Sequence, residues 1–257
     1  LKGHEKPLNV ALFITCLTEQ FAPRAGVAAT LVLERLGCHV QFPSAQTCCG
    51  QPMFNTGHHA DAAVLARRWI DVFEGFDAIV TPSGSCAAMM KVHAPELLKD
   101  DAAYAARARV LAGKTYEFVE FLSRVLRVDL AAMGARHDSS ATIHPACHLR
   151  ELGLMDEPAK VLAQIQGIEL RPLPSRDECC GFGGAFSVKH PAISGKMVQN
   201  KVANVASTRS DALVCSDAGC AMNIDGACRK RGVRQRIISA PELIAESLGL
   251  LEREPLL

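Results

Sequence analysis

The chain lacks an excess of either charge: 28 basic residues stand against 27 acidic ones, for a formal net charge of +1. With no basic patch and no block of roughly five or more like charges, nucleic acid is excluded as an expected partner. Long apolar runs are missing as well. Stretches such as VALFIT at 10–15 fall far short of the ~20 residues that span a bilayer, and no basic, apolar, small-residue leader pattern opens the sequence. The expectation is a cytoplasmic protein with no transmembrane segment. A G-x-x-x-x-G-K-[ST] phosphate loop is absent too, and GFGG at 181–184 lacks the spacing of a dinucleotide fingerprint, so no bound nucleotide is expected.

Cysteine is what the chain does have, at 11 of 257 residues. That is about half or less of the density of a small disulfide scaffold, and the count is odd. With a cytoplasmic location, thiols acting as ligands or redox groups are expected rather than structural disulfides. Their placement is periodic. Cys16 and Cys147, Cys48 and Cys179, and Cys49 and Cys180 are each separated by 131 residues, as are Gly50 and Gly181, and Pro43-Ser44 and Pro174-Ser175. Cys86 and Cys220 follow at an offset of 134. Ordered matches with the same internal gaps indicate an internal duplication, with units expected at 8–128 and 141–250.

Both halves also share an order of elements. LNVALFIT (8–15) and SATIHPA (140–146) read as buried strands, each followed by a cysteine; HVQFP and IELRPLP are second strands, and FDAIVTP and SDALVCS third strands. Amphipathic segments at 24–37, 60–76, 158–167 and 194–208 lie between them. This alternation predicts an α/β fold: two similar Rossmann-like βαβ domains, each with a short parallel sheet and flanking helices. YEFVEFLSRVL and Trp69 are expected in core-facing helices. In such sheets ligands bind beyond the carboxyl ends of the strands. The expected convergent sets are therefore Cys16, Cys48, Cys49 and Cys86, and Cys147, Cys179, Cys180 and Cys220.

Four convergent thiols admit several occupants. Cys38 and Cys228 fall outside the repeat and read as small buried hydrophobes. A vicinal disulfide is strained. Zinc suits four thiolates, yet its ligands usually come in C-x₂₋₄-C pairs, a spacing found only at Cys215 and Cys220. An iron–sulfur cluster accepts thiolates from three separate loops, and four cysteines are the common complement of [4Fe–4S], with one or two clusters per chain expected. The ferredoxin run C-x₂-C-x₂-C is absent. Glycine after each Cys-Cys pair permits the sharp turn by which both thiols reach one centre. Cys86 and Cys220 precede expected helices whose free N–H groups favour thiolate.

TCCGQP, TPSGSC, CCGFGGAFSVK and AGCAMNI, within a Cys, Cys-Cys-Gly, Cys pattern occurring twice from about 8 to 250, resemble the CCG-domain family. That family includes a component of heterodisulfide reductase and the iron–sulfur subunits of glycolate, glycerol-3-phosphate and L-lactate oxidising systems. The resemblance implies an iron–sulfur electron-transfer subunit in L-lactate oxidation to pyruvate, with other iron–sulfur subunits of that complex as partners. No hydride-accepting site is recognisable, so partners are expected to complete the reaction. A heterodisulfide-reductase-like enzyme and a zinc-stabilised binding protein remain alternatives. The fuller family motif ends each half in Cys-x-x-Cys, where this chain has Ser83 and Asp217 at the first cysteine position. Both are candidate oxygen ligands, and Cys215 is a further candidate thiol. His144 and His148 flank Cys147 and are candidates for donating to a cluster sulfur or for proton transfer.

Overall fold

The computed structural model describes residues 6–254. In the first half, β1 (Asn9–Leu12) leads through α1 (Cys16–Phe21) and α2 (Pro23–Arg35) to β2 (His39–Gln41). Next, α3 (Gln51–Asn55) and α4 (His59–Phe73) return to β3 (Ala78–Thr81); α5 (Gly84–Ala88), α6 (Ala94–Leu97) and α7 (Ala105–Gly113) then lead to β4 (Thr115–Glu117) and α8 (Phe118–Glu120). The second half opens on β5 (Arg136–His144), followed by α9 (Glu157–Leu162), β6 (Gln166–Leu170), α10 (Ala185–Lys189) and α11 (Pro191–Thr208). It closes with β7 (Ala212–Cys215), α12 (Ala218–Lys230), β8 (Arg236–Ser239) and α13 (Ala240–Ser247). Each half forms a four-stranded, all-parallel sheet, in the orders β2-β1-β3-β4 and β6-β5-β7-β8.

Parallel sheets need cover on both faces, and the pleat sends alternate residues to each. Val10, Leu12 and Val80 face a core that also takes in Ala141, Val161, Ala212, Val214 and Ile244, so one face of each sheet packs into a core shared by both halves. The intervening Ala11, Phe13 and Ile79 face a second core with Trp69, Ile70 and Phe73 of α4. In the other half, Leu213 and Cys215 meet Val202 and Val205 of α11 and Ile224 of α12 in a third core. Complete burial of one such aliphatic or aromatic side chain is worth about 1.5–3 kcal/mol. These cores therefore hold the two sheets in one arrangement. Among the described residues, no helix is long and apolar enough to cross a membrane.

Strands β1, β2, β3, β5, β6 and β7 and helices α2, α4, α9 and α11 fall where the sequence places them, with differences at the edges. Strands β4 and β8 are additional: TYE and RIIS are edge strands of three and four residues, each running directly into a helix. The segment read as the helix YEFVEFLSRVL consequently starts in β4, and becomes helical only from Phe118. Helix α9 stops at Leu162, and Gln166 and Gly167 open β6 instead of closing the helix expected over 158–167. Cys86 and Cys220 lie inside the first turns of α5 and α12 rather than ahead of them.

A polar cluster spans the two halves at the rim of the shared core. The almost fully buried Glu246 side chain of α13 meets Arg24 of α2 at 3.1 Å, Arg236 of β8 at 2.5 Å and His137 of β5 at 3.4 Å. Burial pushes its carboxyl up, but the His137, Arg236 and Arg24 contacts outweigh this and hold it at about 2, against an ordinary 4.5. Its contribution to stability is thus complete above the ordinary value and is lost as pH falls from 4.5 towards 2. Replacing Glu246 by Gln should cost about 3 kcal/mol near neutral pH and flatten the acid limb of the stability profile. Urea unfolding of both proteins at neutral pH and near pH 3 measures each effect.

Candidate metal centres

In both sheets the chain order reverses beside the first strand: β2 lies on one side of β1 and β3 on the other, and β6 and β7 flank β5 in the same way. Such a switch point opens a crevice at the carboxyl ends of the strands. Cys16 begins the helix after β1 and Cys86 sits in the helix after β3; Cys147 and Cys220 follow β5 and β7. The Cys-Cys-Gly segments complete each crevice. Gly50 and Gly181 adopt φ of +89° and +85°, a left-handed conformation that glycine takes without Cβ strain. Their N–H groups donate to the Cys48 and Cys179 sulfurs at 3.5 and 3.3 Å.

The structure brings both predicted quartets together. Cys16 Sγ lies 4.0 Å from Cys48 Sγ, and Cys49 Sγ lies 3.1 Å from Cys86 Sγ. In the second half, Cys180 Sγ and Cys220 Sγ are 3.0 Å apart, and the Cys147 and Cys180 thiols lie beside Cys179. Burial is graded alike in both: Cys16 and Cys147 are exposed, Cys48 and Cys179 half-buried, and Cys49, Cys86, Cys180 and Cys220 buried. Cys48 is held well below the ordinary thiol range by hydrogen bonds from Cys16, Cys49 and the Gly50 N–H, and Cys179 by those from Cys147, Cys180 and the Gly181 N–H. Cys16, Cys49, Cys147 and Cys180 are pushed up because each donates to a neighbouring sulfur and is partly or wholly desolvated. One thiolate per quartet is thus stabilised, at the same position in both.

The other candidates have distinct surroundings. Ser83 and Asp217 cap the helices that carry Cys86 and Cys220, accepting from Cys86 N at 3.4 Å and Gly219 N at 3.0 Å. They also meet each other. Asp217 Oδ2 accepts from Ser83 Oγ at 2.9 Å, Ser85 Oγ at 2.6 Å and Ser85 N at 3.1 Å, and Gly84 N donates to Ser216 O at 3.0 Å. The two ligand loops are therefore joined directly, a contact invisible in the sequence because it links equivalent positions of the two repeats. Cys215 is buried in the core of the second half. His148 is half-buried, with Nδ1 3.7 Å from Cys147 Sγ.

His144 is different. Its side chain is 1% exposed, neither ring nitrogen has a hydrogen-bond partner, and a ring nitrogen lies within 4.8 Å of the Cys180 and Cys220 sulfurs. Burial, with the nearby Lys201 charge, lowers it to about 4, so the imidazole is neutral at neutral pH. Lys201, which no sequence motif singles out, is wholly buried and donates from Nζ to the Ser175 carbonyl at 2.9 Å. A lysine within the stripe Ser194, Val198, Lys201, Val202, Val205 is the sequence signal that marks it. Soft sulfur donors in sets of four, with a buried imidazole lacking any protein partner beside one set, fit a thiophilic metal group.

The fold and these donor sets define a duplicated, cysteine-rich α/β protein. The chain belongs to the CCG family, described as a cysteine-rich domain, which it matches twice, at residues 10–91 and 141–225. Proteins named Lactate utilization protein A are similar along nearly their whole length. The one from Macrococcus caseolyticus is 46% identical over 238 residues, covering 92% of this chain and 96% of that protein. The Shouchella clausii protein is 47% identical over 226 residues, covering 88% and 93%, and the Bacillus licheniformis protein 44% over 238, covering 92% and 99%.

The two glycine turns are not equally tolerant. A Cβ on Gly181 would lie 2.7 Å from Ser194 O and 3.0 Å from Met197 Cβ, whereas one on Gly50 would approach nothing nearer than 3.5 Å. Alanine at either position carries the left-handed penalty of roughly 1–2 kcal/mol. Overpacking adds about 1–3 kcal/mol at Gly181 alone. Gly181→Ala should therefore be more destabilising than Gly50→Ala by that margin, as read from urea midpoints of the metal-free proteins.

Proposed function

We propose that the chain is an iron–sulfur electron-transfer subunit that acts in the oxidation of L-lactate to pyruvate, with other iron–sulfur subunits of a lactate-oxidising complex as its partners. The observation that carries this reading is the pair of four-thiol clusters at the two sheet switch points, in a chain similar throughout to proteins named Lactate utilization protein A. Cys16, Cys48, Cys49 and Cys86 would hold one cluster in a unit spanning 8–128. Cys147, Cys179, Cys180 and Cys220 would hold the other in a unit spanning 141–250. Four thiols in each half match the complement of [4Fe–4S].

When bound, such a group supplies one-electron oxidation and reduction. The chain's own residues do the rest. Cys48 and Cys179 are already favoured as thiolates, while Cys16, Cys49, Cys147 and Cys180 must release protons as they become ligands. Buried Cys49, Cys86, Cys180 and Cys220 keep water from the inner side of each crevice. Exposed Cys16 and Cys147 leave an outer side that a redox partner can approach.

Anaerobic purification followed by iron and sulfide analysis with EPR tests the reading. Near-equal iron and sulfide are expected, and Cys48→Ser or Cys179→Ser should each lower the iron by about half. Zinc as the sole metal, with no iron retained after reconstitution, would overturn the assignment. So would unchanged iron in both variants. Reduction of a mixed disulfide by the isolated chain would instead place substrate chemistry in the chain itself.

A further inference from the structure

The duplication provides an internal control, because each residue lining one centre has a structural equivalent at the other. In the first half Val10 pairs with Ala78 and Leu12 with Val80; in the second Ala141 pairs with Ala212 and Ile143 with Val214. This register makes Phe13 the equivalent of His144. Both side chains are buried, and both leave the outer face of their sheet. Phe13 is enclosed by apolar neighbours, its ring 5.4 Å from that of Phe73. A second exchange lies on the adjoining helices. Gly50 packs against Ala62 and Leu65, and Gly181 against Ser194 and Met197, which aligns Trp69 of α4 with Lys201 of α11. A phenylalanine and a tryptophan beside the first quartet thus stand where the second has a histidine and a lysine.

An imidazole buried without a hydrogen bond costs about 1–3 kcal/mol, and a phenylalanine fills the equivalent position of the first half at no such cost. The donors grouped with His144 among the described residues are the sulfurs of Cys180 and Cys220. All three donor atoms lie within 4.8 Å of one another, a spread that one metal atom with bonds of about 2.0–2.3 Å nearly bridges. We infer that His144 is a metal ligand of the second centre, making it a five-donor site of Cys147, Cys179, Cys180, Cys220 and an imidazole nitrogen, whereas the first centre is bound by thiolates alone. The inference rests on the quartets being metal centres, and it makes the two chemically inequivalent.

Pulsed EPR of the full chain, reconstituted anaerobically with ferrous iron and sulfide and then reduced, tests it. A strongly coupled nitrogen is expected, with its frequencies shifted when the protein is grown with ¹⁵N-imidazole histidine. The coupling should vanish in His144→Phe, which copies the first half, while the iron of the first centre is retained. The labelled wild-type protein gives the result even where the variant folds poorly. Iron bound with no strongly coupled nitrogen, or a coupling that persists in His144→Phe, would overturn the ligand assignment and leave the iron–sulfur reading standing. Failure to retain iron would overturn that reading alone. Cobalt(II) then reports on His144 separately: visible bands that shift in His144→Phe support ligation, and unchanged bands refute it.

Discussion

The buried carboxylate of Asp217 is the contact on which the geometry of both centres depends. A buried carboxylate is costly unless donors surround it, and these come from both halves: Ser83 and Ser85 from the first, Gly219 from the second. Ser83 in turn caps the helix holding Cys86, while Asp217 caps the helix holding Cys220. One side chain therefore fixes the first turns of two ligand-bearing helices at once. Close approach completes the junction: a Cβ on Gly84 would lie 2.9 Å from the Leu149 side chain. Glycine there lets the loop of the first half seat against the segment that follows Cys147.

This junction exists because the two sheets share a core. Each sheet has one face directed at the other half and one at its own outer helices, and the cysteines gather on the outer side, among Phe13, Met89 and Trp69 or among Leu213, Val202 and Ile224. The shared core supplies apolar burial between the halves, whereas the outer cores supply dry inner walls for the thiols. Polar groups are correspondingly concentrated at the rims. Arg24, Glu246, Arg236 and His137 tie α2 of one half to α13, β8 and β5 of the other.

Much of this was legible because duplication doubled the signal. A single Cys-Cys-Gly turn is ambiguous, but two with matching distances to flanking cysteines specify three loops per half. Short apolar runs likewise marked β1, β3, β7 and the second half of β5, which are buried on both faces. Edge strands β4 and β8 were hidden because TYE and RIIS run without a break into the helices that follow them. The Ser83–Asp217 contact was hidden for another reason. Spacing within a chain describes each repeat but not how two repeats are docked, so both residues were readable as ligand candidates and not as partners.

Duplication also explains how the two centres can differ without either being lost. The thiol quartets, left-handed glycines and helix caps recur at equivalent positions, so the demand for a ligand cradle constrains both halves alike. Residues one layer behind are free of that demand, provided that volume is conserved and polarity compensated. Phenylalanine at 13 and the somewhat smaller histidine at 144 are both fully enclosed. Only the histidine raises the second condition, because both its nitrogens lie out of reach of any protein hydrogen bond. Lys201 meets the same condition with a carbonyl, that of Ser175. The imidazole has the Cys180 and Cys220 sulfurs for neighbours instead, so its unmet polarity lies against the second thiol quartet.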